Sequence, residues 1–92
     1  MLQMVMKSGD GEDVILDLVD TPDFVLIKMC DLMIRKQDLR HPDVQRGLKD
    51  ISDAFKAKMA DESKISPPYT REDIEFHSLQ LDELLAELEV HQ

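Results

Sequence analysis

The sequence predicts an all-α protein. The architecture is a small helical bundle of three long helices plus a short N-terminal helix, with an N-terminal β-hairpin as the alternative for that first segment. Three observations lead there. Residues 22–38, 42–62 and 70–90 each open on a helix-start signal. Each then carries apolar residues at a period of about 3.6. Prolines stand at the joins between them. At 92 residues the chain is one helical domain over 1–92, in which 1–11 can be a flexible N-terminus.

The first segment is ambiguous. Residues 1–8, MLQMVMKS, are apolar but short, and Gly9-Asp10-Gly11 marks a turn. Gln3–Lys7 and Val14–Val19 can pair across that turn as a hairpin. Alternatively, residues 12–19 form a short helix with acids in its first turn, where the helix dipole favours them. A lone hairpin is marginal without something packed on it, which tips the expectation to the helix.

The next stretch, PDFVLIKMCDLMIRKQD from Pro22 to Asp38, organises the chain. Thr21 is placed to cap with its hydroxyl, Pro22 fits the first helical position and Asp23 suits the positive end. Lys28, Asp31, Arg35 and Asp38 fall on one narrow polar stripe. The remaining faces are apolar, so this helix needs cover from more than one side. Pro42 opens the second helix. There Val44, Leu48, Ile51, Phe55 and Met59 make one apolar stripe, and Gly47 beside it suits a close approach of two helices. Residues 63–69, SKISPPY, break the helix at Pro67-Pro68; a stiff solvated linker outweighs a peptide-recognition segment as their reading. Thr70 and Asp73 then form a partial capping box for the last helix. Ile74, Leu81, Leu84, Leu85 and Leu88 face its core, with His77 at their edge. Phe76, Leu79, Ala86 and Val90 lie roughly opposite, which implies contact on two sides. The expected core comprises Leu26, Met29, Met33, Leu48, Ile51, Phe55, Leu81, Leu85 and Leu88.

Composition narrows function mainly by exclusion. The net charge is −9, which argues against direct binding to nucleic acid or to an anionic membrane. The charge is uneven: −5 over 1–23, +2 over 24–69 and −6 over 70–92. The single Cys30 allows no disulfide within the chain and reads as a small buried hydrophobe, which together with a missing signal-peptide layout suggests a cytoplasmic protein. No apolar run approaches the roughly 20 residues of a membrane span. Asp73 with His77 and Glu87 with His91 stand four apart, but a metal site needs three or four converging ligands, so helix support explains them better. His41, just before Pro42, reads as local structure. No Gly-rich phosphate loop is present, and nothing brings a histidine to Cys30. No catalytic residue, metal or cofactor is therefore expected, and a small enzyme is the weakest alternative.

Binding remains. The expectation is a non-catalytic protein–protein interaction module whose partner is a protein with a basic surface, and which masks that surface as an inhibitor would. Rows of carboxylates can imitate phosphates. Glu75, Asp82, Glu83 and Glu89 are the candidate partner-binding residues. They are expected to stay exposed, because the mildly basic middle cannot neutralise both acidic ends. The competing readings are a solvated outer face and a self-associating structural subunit or assembly chaperone. A homodimer is expected in either case, since the first long helix is too apolar for so short a chain to cover.

Overall fold

The computed structural model describes residues 2–7 and 9–90. Strands β1 (Gln3–Lys7) and β2 (Asp13–Asp17) are followed by helices α1 (Asp23–Lys36), α2 (Pro42–Ala60) and α3 (Arg71–Val90), with one 3-10 turn, Glu62–Lys64, after α2. The protein is mainly helical, as the periodicity predicts.

The short N-terminal helix is replaced by the hairpin. β1 and β2 pair antiparallel, Val5 opposite Ile15 and Met4 opposite Leu16. The reason is local. Gly11 takes φ +89°, a left-handed conformation open to glycine, and the Asp10 carboxylate accepts the Glu12 N–H at 3.2 Å. So few residues nucleate a helix poorly, and Val14, Ile15 and Val19 are β-branched. The hairpin also has the support it needs, because Met4 lies partly buried against the core and Leu18, just past β2, is fully buried in it.

Thr21 does not cap α1. Its hydroxyl donates backward to the Asp17 carbonyl at 2.7 Å, and Pro22 precedes the helix with no side-chain cap. Asp23 has a different role, described below. At α2, His41 is the cap: its Nδ1 accepts the Asp43 N–H at 3.1 Å, so this histidine is indeed local structure. At α3 the capping box is complete despite its aspartate. Thr70 Oγ1 accepts the Asp73 N–H at 3.3 Å, and Asp73 Oδ2 accepts the Thr70 N–H at 2.9 Å. That ties Asp73 Oδ2 into the start of the helix. His91 lies outside the described residues. The Pro67-Pro68 linker bends back on itself, closed by Tyr69 N–H to the Ser66 carbonyl at 3.0 Å.

α2 is the central element. α3 packs antiparallel along it, shown by Ser52 meeting Asp82 while Phe55 meets His77. α1 lies on α2 at another side, and β1 reaches it near Gly47. A Cβ built on Gly47 would stand 2.8 Å from the Met33 methyl and 3.5 Å from that of Met4, so this glycine admits the close approach of α1 and the hairpin. The core is Leu18, Leu26, Val44, Leu48, Ile51, Ala54, Phe55, Ile74 and Leu81. Of the expected core, Met29, Met33, Leu85 and Leu88 are only half-buried. α1 explains two of them. It is covered from one side, and Phe24, Leu32 and Ile34 stay exposed.

The interior also holds an ion pair. Lys58 Nζ lies 2.8 Å from Asp23 Oδ1, and both side chains are buried. The ammonium also donates to the carbonyls of Thr21 and Lys64, each at 2.9 Å. Asp23 Oδ2 accepts the Ser66 N–H at 2.6 Å, while among the described residues Oδ1 faces the Lys58 ammonium alone. Three segments are thereby joined: the entry to α1, the end of α2 and the link into α3.

Candidate interaction face

The sequence-predicted acids do not form one face. Glu75, Asp82 and Glu89 follow one flank of α3, seven apart, and that flank borders α2. Asp82 is engaged at home. Ser52 Oγ donates to it at 2.6 Å and Lys56 Nζ lies 3.1 Å away, so the expected exposure of Asp82 gives way to a half-buried interhelix contact. Burial pushes its carboxyl up, but the Ser52 and Lys56 hydrogen bonds and the Lys56 charge outweigh this and hold it below the ordinary carboxylate value of 3.8. Glu75 is exposed and meets Arg71 of its own helix at 3.4 Å, which leaves it accessible. Glu83 and Glu89 are exposed.

The outward face of α3 carries a different set. Phe76 and Leu79 are 58% and 56% exposed and stand three residues apart on the helix, so they adjoin as one apolar patch. Glu72, Glu83, Ala86 and Glu87 are exposed with them, at helical spacings that place all six on one side of the helix. Phe76 is not adrift: its ring meets that of His77 edge-on, centroids 5.7 Å apart, and His77 in turn lies 6.4 Å from Phe55. An apolar centre is thus fixed within a rim of carboxylates. Val90, predicted on the same face, has no described side chain.

Between α1 and α3 runs a groove of about 420 Å³, lined by Phe24, Ile27, Cys30, Phe55, His77 and Leu81 among others. It is mainly apolar. Cys30 is unsuited to nucleophilic work there, because burial and then the Asp31 charge push its thiol up to about 11. Among the described residues no three His, Cys, Asp or Glu side chains gather as metal ligands. Among them, too, no helix is long and apolar enough to cross a membrane.

No protein-family model, curated protein or solved structure matches this chain.

Sequence reasoning singled out the charged flank and paired Phe76 with Leu79 without ranking them first. The signal was available: an apolar pair on the face opposite a continuous core stripe. The Asp23–Lys58 pair was missed. Its signal was Lys58 itself, three residues after Phe55 and seven after Ile51, on the apolar stripe.

The Asp82 contact gives an acid dependence whose sign follows from its depressed pKa. Its contribution to stability is present above the unfolded carboxylate value and is lost as pH falls through the folded one. Asp82→Asn should therefore flatten the loss of stability on acidification. Because both partners are substantially solvated, the difference at neutral pH should be within about 1 kcal/mol. Denaturation midpoints of both proteins across the acid range check it; parallel curves would show that the contact has no energetic weight.

Proposed function

We propose that this chain is a non-catalytic binding module that docks on a basic protein surface through the outer face of α3. Phe76 and Leu79 are the apolar anchors, and Glu72, Glu75, Glu83 and Glu87 supply the charged rim. The observation that supports this reading is the pairing of two large, mostly exposed apolar side chains with surrounding carboxylates on a helix already held to its core by the opposite face. Such a face fits a partner with an apolar strip flanked by Lys and Arg. A basic surface of this kind is typical of proteins that handle nucleic acid, which makes masking of such a surface the favoured form of the activity. Glu89 extends the rim, whereas Asp82 mainly ties α3 to α2.

The test uses the partner captured from the native host at low salt. Glu83→Lys combined with Glu87→Lys should leave the fold intact, since exposed charges add little to stability, and should abolish capture of that partner. Phe76→Ala with Leu79→Ala should weaken it as strongly. Capture by the wild type should fall as salt rises, because exposed charges are screened. Retention of the same partner by both folded variants would reduce the face to solvated surface.

A further inference from the structure

The hairpin leaves a strand edge open beside an apolar wall. Among the described residues the sheet has two strands, so β1 has β2 on one side and no described strand on the other. Leu18 N–H donates to the Leu2 carbonyl at 2.9 Å, which makes that pair a bonding one. Bonding and non-bonding pairs alternate along an antiparallel ladder. Val5 and Ile15, three steps on in the same register, are therefore a non-bonding pair whose backbone groups point outward to the two edges. Both side chains are 62% exposed. Along β1 lies a groove of about 380 Å³, lined by Met4, Val5, Met29, Leu32, Met33 and Val44 among others. Its α1 wall is unfinished: Leu32 is 44% exposed, and Met29 and Met33 are half-buried.

We propose that a second copy of this chain adds its own β1 to this edge, antiparallel about a two-fold axis at Val5. The product is a four-stranded sheet in the order β2–β1–β1–β2, with the two α1 helices side by side beneath its centre. The cross-strand chemistry selects this occupant. With Val5 opposite Val5 of the second copy, Met4 stands opposite Met6 and Gln3 opposite Lys7, so no like charges face each other. The β2 edge behaves otherwise: centred on Ile15 it would set Asp13 against Asp17, two carboxylates directly opposed. Charge agrees. The chain carries −9 overall, yet among the described residues Asp43 is the one acid lining the β1 groove, and Arg46 sits 3.7 Å from it. An isologous pairing also extends a marginal two-stranded hairpin to four strands, and covers Leu32 with the same residue from the other copy. The α3 face takes no part, so this assembly stands or falls separately from the binding function.

The experiment is a charge swap at the axis. Val5→Lys and Val5→Glu each place like charges against themselves only in the dimer, and Val5 is exposed enough in the protomer for both to fold, which circular dichroism checks. Sedimentation equilibrium over a wide dilution series should show a wild-type dimer and, for each variant alone, dimerisation weakened by about tenfold or more. An equimolar mixture of the two should dimerise again, because Lys then faces Glu. A wild type monomeric at every concentration would overturn the proposal. So would a dimer indifferent to Val5→Lys, or a mixture that fails to recover.

Discussion

Replacing Lys58 with Met is expected to cost about 3–5 kcal/mol, the loss that follows when one member of a buried ion pair is removed. Met keeps most of the aliphatic stem, so the loss is not mainly one of packing. Asp23 would retain the Ser66 N–H on Oδ2 but would lose the cation 2.8 Å from Oδ1. The Thr21 and Lys64 carbonyls would lose their donor as well. A compensating apolar exchange of both partners, which often rescues buried pairs elsewhere, should fail here. With Asp23→Leu added, three backbone groups remain without the side-chain partners they have now, and unsatisfied buried groups cost about 1–3 kcal/mol each. Urea denaturation of Lys58→Met and of the double variant checks both statements. A Lys58→Met protein within about 1 kcal/mol of the wild type would mean that water reaches the pair and replaces the ammonium.

The same ion pair marks where the sequence was hard to read. Lys58 looked like one more cation in a basic middle segment, and Asp23 like a dipole-complementing acid at a helix start. Each local reading is physically sound. What the sequence does not display is that the two sites meet across 35 residues of chain through the fold. The three long helices were legible because start signals and periodicity are local: His41-Pro42, Thr70 with Asp73, and the stripe from Val44 to Met59 each act within a few residues. The hairpin was less so. Its choice over a helix depends on Met4 and Leu18 finding the core, a tertiary contact that overrides a marginal local preference. The acidic flank shows the same division. Spacing placed Glu75, Asp82 and Glu89 on one line of α3, which is correct. Only the packing of α2 reveals that the line points at Ser52 and Lys56 rather than wholly at solvent.

Phe55→Ala is the other large expected loss, at about 3–5 kcal/mol. The ring is 1% exposed and central to the stripe that α2 turns to the core. It also lies under His77, and so supports the Phe76 ring that the proposed binding face presents. Two effects compete over the size of the loss. Removing the ring deletes its burial and its dispersion contacts, which pulls toward the upper figure. However, Phe55 borders the groove between α1 and α3, so the vacated space opens to solvent instead of closing as a dry cavity. Water can enter, and α1, covered from one side only, can settle inward. The measured loss should therefore fall in the lower half of that range, and Phe55→Leu should recover more than half of it. Chemical denaturation gives the numbers. A loss within experimental noise for Phe55→Ala would place the ring outside the core and would undo the packing of α3 on α2 described above.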